Sequence, residues 1–198
     1  MIARFIIRAI VLYAVLMVGW GYLLQPYIGV VTALSNRELH VLGIETITKL
    51  GPSLDPNSGV AVYHRDAADM QDSLFDFKLE SLRSHIPMLL ALVFAMPLPF
   101  HRRLKSAGVA LLMMCLIDSL ACIVVMTWSY TFLPEHHQWT PFSNSQLRDS
   151  VISFLYDFYN AIGVGFVPLI VWILVSVRKR DLETLVGNGK TVGGEPGA

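Results

Sequence analysis

The sequence predicts an integral membrane protein, mainly α-helical, with four transmembrane helices and a small exported segment containing two or three β-strands. The composition is the first reason: 54% of the 198 residues are hydrophobic and only 15% are charged, so a soluble domain of this size would lack polar surface. The second is a set of four long apolar stretches, and the third is the alternation of the basic clusters that flank them.

Each predicted span is an apolar run close to the roughly 20 residues that cross a hydrocarbon core. The runs cover residues 5–24, 84–100, 107–130 and 151–177, and the second is short and contains three prolines. For the first run a cleaved signal peptide is the alternative. No small-residue cleavage site follows that run, so we expect a retained anchor.

The basic residues orient the four spans. Arg4 and Arg8, residues 101–105 (HRRLK) and residues 178–180 (RKR) all fall on one side after four crossings. The positive-inside rule makes that side cytoplasmic, so both termini are expected in the cytoplasm. Aromatic residues are expected to mark the opposite boundary, as in an aromatic belt: Trp20, Tyr22, Tyr27, Trp128, Tyr130 and Trp139.

The predicted organisation has four parts. They are a first transmembrane helix, an exported segment, the three remaining transmembrane helices and a disordered cytoplasmic tail, over residues 1–24, 25–83, 84–180 and 181–198. The tail is assigned as disordered because it is polar and rich in glycine. A net charge of zero gives no argument for nucleic acid as a partner, so the lipid bilayer and other membrane proteins are the expected partners.

The exported segment shows strand patterning. Residues 73–80 (SLFDFKLE) alternate apolar and polar side chains, which is typical of a half-buried strand. Residues 59–64 are a second candidate strand and residues 44–50 a weaker third. Residues 30–44 suit a short amphipathic helix on the membrane surface.

Asp118 is an acid inside an otherwise apolar stretch, residues 111–125 (LLMMCLIDSLACIVV). It lies 13 residues beyond Lys105, or roughly 20 Å into the membrane at the helical rise. No Lys, Arg or His is expected at that depth, and an unpartnered carboxylate in hydrocarbon is expected to keep its proton. Cys115 and Cys122, in the same run, are expected to be small packing residues.

The sequence leaves the role of Asp118 open between two interpretations. It is either a neutral hydrogen-bonding residue that joins the third span to glycines of the fourth, or the partner of a basic residue from another membrane protein. A proton relay would need titratable groups at successive depths, which the sequence does not offer. Asp157 and Asn160, one turn apart, suit capping or packing at the outer interface. The candidates for intramembrane polar contact or partner binding are Asp118, Ser119, Asp157, Asn160, Gly163 and Gly165.

The sequence indicates a non-catalytic protein without a cofactor. His136 and His137 are the best metal candidates but weak ones, because adjacent histidines point in different directions and the usual ligand spacings are missing. No Ser or Cys nucleophile lies beside a plausible base, and a thiolate is disfavoured in lipid-depth helix. An interaction or assembly role is therefore expected.

Residues 86–105 (IPMLLALVFAMPLPFHRRLK) carry a family resemblance. The residues that carry it are Pro87, Ala91, Leu92, Ala95, Pro97 and the following arginine pair. They resemble the second span and turn of the exosortase H-associated membrane proteins, and the similarity extends over residues 1–186. The resemblance implies a bacterial inner-membrane partner of an exosortase, the membrane protease or transpeptidase that processes C-terminally tagged exported proteins. It implies that the chain stabilises that protease or presents substrates to it, with Asp118 a candidate contact to a partner helix.

Two other functions remain open on the sequence. One is an accessory or assembly subunit of another membrane complex, respiratory, photosynthetic or secretory. The other is a small membrane metal-binding protein or enzyme that uses the outer histidines.

Overall fold

The computed structural model of the chain describes residues 2–41, 48–53, 59–64, 73–77, 80–132 and 146–176. The elements are α1 (Ile2–Val41), β1 (Thr48–Pro52), β2 (Val60–His64), β3 (Ser73–Phe77), α2 (Glu80–Ala95), α3 (Phe100–Phe132), α4 (Gln146–Phe158), a π-helical turn (Tyr159–Gly163) and α5 (Val164–Ser176). The predicted cytoplasmic tail and the two adjacent histidines lie outside the described residues.

Two helices of the described chain are long and apolar enough to cross a membrane, within Ala3–Val41 and Phe100–Ser129. A third span is present if α4 and α5 count as one, although they are bent by 81°. The predicted second span corresponds to α2, whose 16 residues reach about 24 Å, short of a core of about 30 Å. The structure thus supports two or three spans, and the four crossings stay a prediction.

The first helix differs from its prediction. α1 is one helix of 40 residues that continues through Pro26 to Val41, so the predicted surface helix over residues 30–44 is mostly its last turns. A proline inside such a helix is tolerated where neighbouring elements satisfy the freed backbone groups. The second half of α1 is fixed by a buried stripe at helical spacing: Tyr27, Ile28, Val31, Ser35 and Leu39.

The strands form a three-stranded antiparallel sheet in the order β1-β2-β3. Leu50 lies opposite Val62, which in turn lies opposite Phe75. The small predicted sheet is therefore present: residues 59–64 and 73–80 contain β2 and β3, and residues 44–50 overlap β1.

Asn36 ties this sheet to α1. Its side-chain amide donates to the Leu50 carbonyl at 2.8 Å, and its Oδ1 accepts from the Leu50 N–H at 2.9 Å. The amide thus pairs with the edge of β1 as a neighbouring strand would, which covers backbone groups that an edge strand otherwise exposes. The sheet is anchored to the part of α1 that follows the predicted span.

α2 lies in contact with α1, α3 and α5. Its buried residues recur at helical spacing: Leu82, Ile86, Leu89 and Val93. At its start, the Trp20 indole N–H of α1 donates to the Leu82 carbonyl at 3.1 Å. After its end, the Arg103 guanidinium donates to the carbonyls of Leu98 and Phe94 at 2.7 Å and 3.2 Å. Residues 101–105, predicted as a basic turn, thus lie in the first turns of α3, and Arg103 stabilises the connection between α2 and α3.

Candidate functional site

Asp118 lies at the meeting point of three helices and is fully buried. The Tyr27 hydroxyl of α1 donates a hydrogen bond to Asp118 Oδ2 at 2.6 Å, a short distance typical of a hydroxyl and a carboxylate. The His85 Nδ1 of α2 lies 3.6 Å from Asp118 Oδ1, within ion-pair distance but too far for a hydrogen bond. We call Tyr27, His85 and Asp118 the polar cluster.

The polar cluster corrects two expectations about Asp118. The expectation that no basic or imidazole side chain lies at its depth is wrong, because His85 is fully buried beside it. α2 begins at Glu80, so His85 sits in its second turn rather than at the rim of a span. A hydrogen bond from Asp118 to glycines of the fourth span was the other expectation. In the structure the partners of the Asp118 carboxylate come from α1 and α2 instead.

Ser119 extends the contact between α3 and α1. Its hydroxyl lies 3.0 Å from Glu38 Oε1 and 2.9 Å from the Leu116 carbonyl, and its single hydrogen serves one acceptor at a time. The Ser35 hydroxyl lies 2.9 Å from the Val31 carbonyl of its own helix and 3.1 Å from the Ser119 carbonyl, and its hydrogen likewise serves one acceptor at a time. Polar contacts thus run along α1 from Tyr27 to Glu38 on the face that meets α3.

The arrangement favours a hydrogen-bonding role for Asp118 over direct contact with another protein. An acid in hydrocarbon is costly unless polar groups satisfy it. Here the Tyr27 hydroxyl donates to Oδ2, and the His85 imidazole lies at ion-pair distance from Oδ1. Because the Asp118 side chain is fully buried, it presents no surface to a partner helix. The polar cluster therefore holds α1, α2 and α3 in one relative position.

The other predicted residues lie away from the polar cluster. Asp157, in the last turn of α4, and Asn160, in the π-helical turn, are both exposed. Gly163 ends that turn. Gly165 in α5 is exposed, and a Cβ built there would meet no atom within 4 Å, so the close helix approach expected at this glycine is not formed.

Metal ligands do not converge in the part of the chain that the structure describes: no group of three or more His, Cys, Asp or Glu side chains there is placed to hold a metal ion. His136 and His137 are outside that part, so their metal site stays a prediction. Cys115 is half-buried and Cys122 buried, and both are free thiols in α3.

Sequence reasoning missed Tyr27 and His85. A first span that ends at residue 24 places Tyr27 in an aromatic belt, yet Tyr27 belongs to the buried stripe that continues at Ile28 and Val31. His85 directly precedes the buried Ile86, so extending the apolar pattern of α2 toward its start would have placed it at the core.

Comparison with known proteins identifies the family. The family model of the exosortase H-associated membrane proteins matches residues 1–179, which is most of the chain. Neither a curated protein nor a solved structure matches it. The match includes every helix and strand of the structure, the polar cluster among them. The chain belongs to the family of exosortase H-associated membrane proteins.

Proposed function

We propose that the chain is a non-catalytic accessory protein of the bacterial inner membrane and that it partners an exosortase-type protein-sorting protease. The observation that carries this proposal is the family match over residues 1–179, since the family is described by its association with exosortase H. In this role the chain stabilises the protease in the membrane or presents tagged substrates to it.

The proposed topology keeps both termini in the cytoplasm. Two ring stacks support this arrangement of the helix ends. Phe5 near the start of α1 stacks on Trp172 near the end of α5, with ring centroids 5.9 Å apart. Trp128 near the end of α3 stacks on Tyr156 of α4 at 4.0 Å. The start of α1 and the end of α5 therefore share one side, as the positive-inside rule requires of Arg4, Arg8 and residues 178–180.

Asp157 and Asn160 are the proposed contact with the partner, whereas Asp118 and Ser119 hold the bundle together. The division rests on exposure. The side chains of Asp157 and Asn160 are accessible on neighbouring turns, and those of Asp118 and Ser119 are fully buried. An accessible carboxylate beside an amide suits a basic or hydrogen-bonding group on the exported side of the protease.

Deleting the chain tests this function. We expect the processing of C-terminally tagged exported proteins to fall to a small fraction of its wild-type level, because the protease loses its stabilising or presenting partner. Immunoblots of the processed and unprocessed forms measure the effect, with the restored wild-type gene as the control. Unchanged processing would contradict the partnership.

The non-catalytic part of the proposal is tested with purified proteins. The protease purified from cells that lack this chain is expected to cut a tagged substrate peptide, and this chain purified alone is expected to leave it intact. Cleavage by this chain alone would overturn the accessory role and leave the partnership standing.

A further inference from the structure

α4 has an apolar stripe that nothing in the described chain covers. Along the helix, apolar side chains recur at spacings of three and four residues, which places them on one face. These side chains are between 42% and 78% exposed: Leu147, Val151, Phe154, Leu155 and Phe158. α4 contains no buried residue at all, so this stripe is not part of the protein core.

The other two sides of α4 have different surroundings. One side faces α3: Ile152 and Tyr156 are half-buried there, and the Tyr156 ring lies nearly parallel to that of Trp128, with an interplanar angle of 8°. Between this side and the apolar stripe, Ser150 and Asp157 are exposed two turns apart. The helix therefore has a side against the protein, an apolar side and a polar side.

α4 and α5 point in different directions. The helix pair Gln146–Ala161 and Gly165–Ser176 is bent by 81°, at the π-helical turn that ends in Gly163. Breaks of this kind are typical of π-bulges and glycines. If α5 lies along the membrane normal, α4 runs nearly parallel to the membrane plane.

We infer that α4 is an interfacial helix that inserts its apolar stripe into the lipid surface and turns Ser150 and Asp157 toward water. An amphipathic helix in this position buries its apolar face about 5–10 Å deep at the boundary of headgroups and acyl chains. On this inference the predicted fourth span over residues 151–177 consists of a surface helix followed by α5, whose 13 residues reach about 20 Å, short of a core of about 30 Å. In the proposed topology the surface helix lies at the exported surface.

One observation favours lipid over a protein as the occupant of the stripe. The stripe is followed in α5 by further exposed apolar side chains, Phe166, Ile170 and Ile173, so the apolar surface continues along the helix pair that is apolar and long enough to span a membrane only when taken together. The charges of α4 are an ion pair of Arg148 and Asp149 at 2.7 Å and the acid Asp157, so the helix has no basic excess to bind acidic headgroups. Insertion of the apolar side chains into the bilayer is therefore the interaction that holds α4 at the lipid surface.

Depth measurements with nitroxide labels test this inference. Single labels are placed by Leu147→Cys, Val151→Cys, Phe158→Cys and Ser150→Cys in a chain where Cys115 and Cys122 are Ala. The purified protein is reconstituted in phosphatidylethanolamine and phosphatidylglycerol vesicles. The accessibility of each label to oxygen and to a nickel chelate gives its depth, and labels at Ile170 and Leu174 of α5 calibrate the scale.

We expect the three labels on the stripe to favour oxygen and to lie within a few ångström of one depth, with the label at position 150 favouring nickel. A helix that crosses the membrane would instead separate positions 147 and 158 by about 16 Å in depth. That gradient would overturn the inference. Labels on the stripe that both reagents fail to reach would also overturn it and assign the stripe to a protein surface.

Discussion

Replacement of Asp118 by leucine is expected to lower the free energy of unfolding by about 2–4 kcal/mol, whereas Asp118→Asn costs less than about 1 kcal/mol. Leucine removes the acceptor of the Tyr27 hydroxyl and the carboxylate 3.6 Å from the His85 imidazole, and both groups remain buried. Asparagine keeps an acceptor oxygen for Tyr27 and places an amide near the imidazole. The polar cluster is therefore expected to tolerate the loss of a carboxylate at position 118 but not the loss of a hydrogen-bonding side chain there.

Thermal unfolding in mild detergent with a thiol-reactive dye measures this effect in a Cys115→Ala background, because the fully buried Cys122 reacts only once the bundle opens. The melting temperature is expected to fall by on the order of 5–10 °C in Asp118→Leu. The matched control is Leu120→Ala, a change at an exposed position of the same helix, which should leave it nearly unchanged. Equal damage from asparagine and leucine would show that an ionised Asp118 is required and would contradict the hydrogen-bonding account.

Asn36→Leu is expected to release the sheet from α1 while the contacts of α1 with α2 and α3 persist. The change removes two hydrogen bonds to Leu50 and leaves its N–H and C=O without their partner, at a cost of about 1–3 kcal/mol. Hydrogen exchange of the β1 amides should accelerate about 10- to 100-fold, since each 1.4 kcal/mol is a factor of about ten. Mass spectrometry of peptides covering residues 48–52 measures the rate.

The neighbouring Arg37→Gln provides the control for this prediction. Arg37 is exposed on the next position of α1, so its replacement should leave the exchange of β1 unchanged. If Asn36→Leu and Arg37→Gln give the same protection in β1, the amide does not anchor the sheet. A fall in the protection of α2 and α3 together with β1 would show that the sheet and the bundle unfold as one unit.

Local patterns were enough to predict several elements. The uninterrupted apolar run around residues 107–130 indicated α3, and alternating side chains indicated β3, because both signals depend only on neighbours along the chain. The membrane class followed from composition for the same reason. The acid at position 118 was also identified from its surroundings alone, as a polar residue within a lipid-depth helix.

The remaining features of the fold depend on tertiary contacts, which local sequence patterns do not reveal. The first span was predicted to end at residue 24, where the apolar run ends, yet the helix continues to Val41 and its polar Ser35 and Asn36 meet α3 and β1. Counting residues from the basic clusters predicted no histidine at the depth of Asp118. The short α2 instead brings His85 to Asp118, a residue 33 positions away that no local pattern connects to it.

Purification of the tagged chain from its native membranes in mild detergent, with mass spectrometry of what accompanies it, tests the proposed partnership most directly. The account predicts an exosortase-type protease in near one-to-one amount. It also predicts a recovery at least about tenfold lower for the double variant Asp157→Ser with Asn160→Ala, but not for the Gln146→Ala control on the same helix. Recovery of the chain alone, or with subunits of a respiratory, photosynthetic or secretory complex in place of the protease, would contradict it.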